Sequence, residues 1–150
     1  MVIGQAAAPA VYGTSKLGTS FRTQFSNRIV VMSTIGTILS LILGVAFAGA
    51  GGTKVANVGP HEAEFPRYRL PAVEAQRARV LVGLTELVAA LLLLIAAIAS
   101  STGLAVVGAI IVILTMIGAV ATHARIGDPP PKMAPATVLG VLGVLLLILA

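Results

Sequence analysis

The chain has 150 residues, of which 57% are hydrophobic and only 10% charged, with a formal net charge of +5. Its mean hydropathy is +1.03, whereas a water-soluble domain carries about a quarter of its residues as charges. This balance excludes an ordinary soluble globule, and the lack of any Cys excludes a thiol–disulfide relay, a thiolate metal site and a structural disulfide.

Residues 1–28 read as a flexible N-terminal segment: Met1 to Ser15 is rich in Ala, Gly and Ser and poor in charge. Leu17, Phe21 and Phe25 then recur every four residues beside Lys16, Arg22 and Arg28. That pattern fits a short helix lying in the membrane interface, and equally a basic flank beside a span. The first long apolar run starts near Ile29 and lacks the short core and cleavage site of a signal peptide.

Residues 29–150 hold four apolar stretches, each set against the ~20 residues needed to cross ~30 Å of hydrocarbon. They run from about Ile29 to Ala50, Ala78 to Ser100, Gly103 to Thr122 and Ala134 to Ala150. The last has 17 residues, which at the α-helical rise covers ~25 Å, the short limit for a span. Gly36, Gly44, Gly83, Gly108, Gly118, Gly140 and Gly143 recur through the stretches. Small residues let helix backbones approach where lipid supplies no hydrophobic drive to associate. The expected fold class is therefore all-α: an integral membrane four-helix bundle.

The connections differ in length. Ser100 to Gly103 is a tight uncharged turn, so the second and third spans form an antiparallel hairpin. Residues 51–77 read as a long loop between the first and second spans, interrupted by Pro60, Pro66 and Pro71. Residues 125–132 read as a helix stop followed by a stiff, Pro-rich link. With four spans, Lys16, Arg22 and Arg28 share one side, and Lys54, Arg67, Arg69, Arg77, Arg79, Arg125 and Lys132 the other. Three cations against seven place the long loop in the cytoplasm by the positive-inside rule. The positive charge thus points to orientation and anionic membrane lipid, and no basic run with interleaved aromatics points to nucleic acid.

Glu86 is the one acid inside the apolar stretches. An ionisable group there is costly and marks a functional site by default. If the helix starts near Ala78, Glu86 lies roughly 12 Å in. Arg79, Gly83 and Glu86 fall along one face, but Arg79 and Glu86 are two turns apart, so a partner from another helix or water must complete the site. Lys54, Arg79, His123 and Arg125 all belong to the same membrane face, and any of the three cations can hold the carboxyl ionised. Two readings of Glu86 stand: a structural carboxyl that fixes helix register, or a proton-handling or ligand-binding group. His123 reads equally as an interfacial residue at a helix end, and the basic side chains as snorkelling. His61 and His123 do not form the paired axial ligands of a transmembrane haem, and no metal site is expected.

The run from Phe47 to Lys54, that from Arg79 to Leu87 and that from Ala121 to Pro129 resemble the DoxX-like membrane proteins, over residues from about 30 to 150. The resemblance implies a four-helix bundle with a small-residue and Lys exit from the first span, Gly-x-x-Glu in the second and His-x-Arg ending the third. It points to Lys54, Gly83, Glu86, His123 and Arg125 as the positions of interest. It further implies a bacterial cytoplasmic membrane and an accessory or anchoring subunit of a larger quinone-linked redox complex. Such a subunit holds no covalent cofactor and binds a quinone or lipid head group near Glu86. A purely structural scaffold and a small transporter are the alternatives, the latter disfavoured by the lack of an inverted repeat.

Overall fold

In the computed structural model the described residues are 15–59 and 65–150, with side chains from Thr34 onward apart from Pro66. The chain divides into two compact units, Met1–Val31 and Met32–Ala150. The described part of the first is helical and belongs to α1, Ser15–Ala56. The flexible start and the interfacial faces of Leu17, Phe21 and Phe25 fall outside the described residues and side chains.

The second unit contains four helices long and apolar enough to cross a membrane: Thr34–Ala56 of α1, α2 (Ala72–Ala99), α3 (Thr102–Arg125) and α4 (Pro130–Leu149). The protein is a multi-pass, all-α membrane bundle. Hydrocarbon offers no partner for a free N–H or C=O, so helices that satisfy their own backbones are the natural solution for such a sequence.

The core is made of Leu43, Phe47, Leu93, Val112 and Leu146, joined by Ala89, Ala90, Ala105 and Ala109. Small residues set the close contacts. A Cβ on Gly108 would lie 2.7 Å from Leu93, and one on Gly143 would lie 2.9 Å from Val112. The α2–α3 and α3–α4 pairs are thereby built around glycine. Conversely, Val45, Leu81, Ile98, Leu114 and Ile148 are exposed. Apolar surface on this scale is foreign to a soluble monomer and suits contact with lipid tails.

Two connections differ from expectation. The link between the first two spans is not a long loop over residues 51–77: α1 continues to Ala56 and α2 begins at Ala72, leaving 15 residues between them. Hydropathy marks where hydrocarbon ends, whereas helical hydrogen bonds carry each helix further into the polar zone. Within the link, Phe65–Tyr68 forms a 3-10 turn that packs on α2. The stiff link before the last span is also absent. Pro130 and Pro131 occupy the first turn of α4, where the missing N–H is one of the helix's unpaired donors anyway. The last span thus has 20 residues, or ~30 Å, enough to cross. The turn between α2 and α3 is as short as expected, with Ser100 at φ 50° closing α2.

Candidate functional site

The first polar cluster lies where α1 and α2 come closest. A Cβ on Gly51 would lie 2.7 Å from the Gly83 carbonyl oxygen, and one on Gly83 would lie 3.1 Å from Lys54 Cβ. This approach carries Lys54 directly over Glu86. Lys54 Nζ donates to Glu86 Oε1 and Oε2 at 2.9 and 2.8 Å. The carboxylate side chain is only 3% exposed and the lysine 14%. The ion pair is therefore nearly sealed from solvent, a setting in which charge desolvation costs several kcal/mol per ion and only good geometry offsets it.

Arg79 serves the backbone instead of Glu86. Helix α1 ends with Asn57 in the left-handed region, φ 56°. Val58 N–H bonds Thr53 C=O and Asn57 N–H bonds Lys54 C=O at 3.1 and 3.2 Å, a Schellman-type ending. Arg79 Nη1 adds a bond to Lys54 C=O and another, 3.4 Å long, to Val55 C=O. It thus covers carbonyls that every helix C-terminus leaves without intrahelical partners. Lys54, Gly83, Glu86 and Arg79 form one clasp between α1 and α2.

The second cluster forms at the end of α3. Gly127, φ 73°, closes this helix. Asp128 N–H bonds His123 C=O at 3.0 Å and Gly127 N–H bonds Ala124 C=O at 3.1 Å. This Schellman motif folds the residue after glycine back onto the last helical turn, where an apolar contact usually sits. Here it brings Asp128 Oδ2 to 2.8 Å from His123 Nδ1. Asp128 Oδ1 accepts from Arg67 Nη2 at 2.7 Å and from Lys132 Nζ at 3.3 Å. The Tyr68 ring meets His123 edge-on, 6.3 Å between centroids, and Phe65 meets Tyr68 in the same way. The short 3-10 turn is so pinned to the α3–α4 connection.

Hydrogen bonds from His123 first, then from Arg67, and less from Lys132 hold the Asp128 carboxyl well below the usual carboxylate range, against the opposing effect of burial. A depressed acid stabilises the fold fully above its unfolded pKa of about 3.9, and that contribution is lost as pH falls through the folded value. Asp128→Asn is thus expected to lower the melting temperature at neutral pH. The gap from wild type should narrow as pH falls below about 4, because the unfolded parent then takes up a proton that the folded carboxylate does not, and the parent loses its advantage. Circular dichroism melts in detergent check this, and a gap independent of pH would contradict it.

The six residues singled out in the sequence therefore do not form one site. Lys54, Arg79, Gly83 and Glu86 share the α1–α2 clasp, His123 belongs to the Asp128 cluster, and Arg125 is exposed and enters neither. Asp128 and Arg67 are members that sequence reasoning missed. The signal was the Gly-Asp pair after His123, since a glycine that ends a helix sets the next residue beside the one four positions before that glycine. Among the described residues no group of three or more His, Cys, Asp or Glu side chains could hold a metal ion.

The model of the DoxX-like family matches residues 38–146, a segment that includes both clusters. No curated protein and no solved structure matches the chain.

Proposed function

The chain belongs to the DoxX-like family, and from that premise we propose that it is an accessory or anchoring subunit of a quinone-linked redox complex in a bacterial cytoplasmic membrane. Its role there is to hold a quinone or lipid head group beside Glu86. The observation that supports this reading is the Lys54–Glu86 pair, with the acid sealed and the lysine reaching the edge of the bundle. The donor set suits a head group with oxygen acceptors. An ammonium has three N–H donors, of which Glu86 engages those aimed at its two oxygens. A further donor remains for a carbonyl or phosphate oxygen, and the carboxylate beside it can take up or release a proton. Exposed Leu84 and Val88 lie on either side of Glu86 in sequence, so an apolar tail would find lipid-facing surface on the same helix.

One observation favours a second reading, the purely structural scaffold. Arg79 spends its hydrogen bonds on the carbonyls of Lys54 and Val55, and the Gly51–Gly83 approach already sets the register of the two helices. The same ion pair can complete that clasp without handling any ligand.

Extraction in mild detergent from cells expressing the protein at its natural level separates the two. Larger partner proteins, with quinone or lipid detected by mass spectrometry, are expected. Glu86→Gln keeps the volume and one acceptor for Lys54 but exchanges no proton. It is expected to assemble normally and to reduce the activity of the copurified complex. Full activity of both Glu86→Gln and Glu86→Leu complexes would leave the scaffold reading standing.

A further inference from the structure

Glu74, near the start of α2, is the one described acid that belongs to neither cluster. Glu74, Gln76 and Arg77 are all exposed, and none of them makes a hydrogen bond or ion pair among the described residues. An acid and a base three positions apart on a helix are neighbours, with about 5–6 Å between their Cβ atoms. Pairing with each other at an exposed site gains little. Both charges are therefore open to a ligand that engages the two at once.

Helix length fixes their depth. α2 has 28 residues, of which ~20 fill the hydrocarbon. Counted back from the tight turn at Ser100, the hydrocarbon ends near Val80, and Arg77 lies about one turn above it, at head-group level. An open groove there is lined, among the described residues, by Val73, Gln76, Arg77, Val80 and Leu81. Leu84, Val88, Leu91 and Ile95 are exposed along the same face and continue it down the span. A cation, an acid and an amide thus top an apolar track, which is the layout of a phospholipid. Glu86 follows Arg77 by about two and a half turns, so its clasp faces the opposite side of the helix.

We propose that this outer face of α2 binds an aminophospholipid, whose head group joins a phosphate diester to a primary ammonium. The Arg77 guanidinium presents its donors as a fork that matches two phosphate oxygens. The ammonium has three N–H donors, and one of them reaches the Glu74 carboxylate beside Arg77. Ethanolamine holds its two charges only two carbons apart, a span suited to neighbours on one helix. Gln76 offers amide donors to the ester oxygens, and the acyl chains follow Leu81, Leu84 and Val88 into the membrane. A choline head group has no N–H for Glu74, and an anionic glycerol head group brings no cation to it. The inference concerns a different face from the Glu86 clasp and does not rest on the function proposed above.

The test uses the purified full-length chain, delipidated in a neutral detergent and titrated under native mass spectrometry with phosphatidylethanolamine, phosphatidylcholine or phosphatidylglycerol of matched chains. The first bound lipid is scored, and circular dichroism checks that each variant is folded. Phosphatidylethanolamine is expected to bind about three- to fivefold more tightly than phosphatidylcholine, the scale of one exposed ion pair. Glu74→Gln should bring that ratio to about one and strengthen phosphatidylglycerol. Arg77→Gln should weaken all three, because they share the phosphate. Arg125→Gln should leave the ratio unchanged, because that cation lies at the end of α3. Equal affinity of the wild type for phosphatidylethanolamine and phosphatidylcholine overturns the proposal. So does an unchanged ratio in Glu74→Gln, with all three lipids strengthened alike, which would mean that Glu74 serves only to pair with Arg77. A dimer that dissociates in Arg77→Gln, without any lipid preference in the wild type, assigns the face to a second copy of the chain and also overturns it.

Discussion

Lys54→Met and Glu86→Leu, made singly, are each expected to destabilise the bundle by about 3–5 kcal/mol, the usual cost of leaving one charge of a buried pair without its partner. Combined, they should restore most of the loss. The reason lies in the asymmetry between breaking a buried ion pair and replacing it. A single substitution leaves either an ammonium or a carboxylate in a cleft that excludes water. The double variant leaves two apolar side chains of similar volume, and such replacements are often neutral or stabilising. Arg79 does not replace the lysine in Lys54→Met, because its guanidinium is held on the carbonyls of residues 54 and 55. Unfolding of the helical signal in mixed detergent measures each variant, and the double-mutant cycle isolates the coupling. Strictly additive losses in the cycle would mean that the two charges are solvated independently and that the clasp is not an energetic unit.

Gly51→Ala is expected to cost about 1–3 kcal/mol by overpacking, and Gly44→Ala close to nothing. Both glycines lie on α1 and both face α2, so helix propensity is common to the two; it favours alanine by up to about 1 kcal/mol. The difference is what the new methyl meets. At Gly51 it would lie 2.7 Å from the Gly83 carbonyl oxygen and 3.0 Å from Leu87 N, both backbone atoms. Those atoms cannot move without separating the helices, and separation also lengthens the Lys54–Glu86 bonds. At Gly44 the methyl would meet Cγ and Cδ2 of Leu94 at 2.9 Å. Leu94 is only partly buried and can turn its tip aside. Gly83→Ala should fall between these limits, since its methyl meets the Gly51 oxygen at 3.0 Å as well as the Val55 side chain at 2.9 Å. Equal melting temperatures for Gly51→Ala and Gly44→Ala would show that the α1–α2 approach is looser than the glycine contact implies.

These two expectations concern the same small region, and together they separate register from chemistry. If glycine packing alone sets how α1 and α2 meet, the double charge replacement keeps both fold and stability. The ion pair is then retained for something other than holding the helices together. Loss of activity in a copurified complex under those conditions would assign that purpose to ligand or proton handling.

Several features were legible along the chain because they depend on local composition. Hydrocarbon admits few charges and no unpaired backbone, so the number of spans and their approximate centres follow from hydropathy alone. The Ser100–Ser101 turn was equally plain, being polar, short and flanked by apolar runs on both sides. Glu86 stood out for the same reason, as an acid where acids are costly. The ends of the helices were not legible. Helix α1 runs to Ala56 and α2 starts at Ala72, because backbone hydrogen bonding does not stop where hydrocarbon does. Pro130 and Pro131 read as a breaker in the sequence and proved to be a helix start, since the first turn needs no proline N–H.

The sequence by itself determined that this is an all-α chain with four membrane spans, a buried acid in the second and a basic face at one end. Only the tertiary structure decided which cation meets that acid. Lys54 and Glu86 are 32 residues apart, and helix spacing disfavours Arg79 as the direct partner without distinguishing Lys54 from Arg125. The choice follows from the Gly51–Gly83 approach, which sets Lys54 above the carboxylate and turns Arg79 toward the end of α1. Likewise, Arg67 and Asp128 are 61 residues apart and meet because one chain turn packs across the end of two helices. Hydrophobicity is a property of each residue and can be read in order. Ion-pair partnership is a property of distance between helices, which exists only once the bundle has packed.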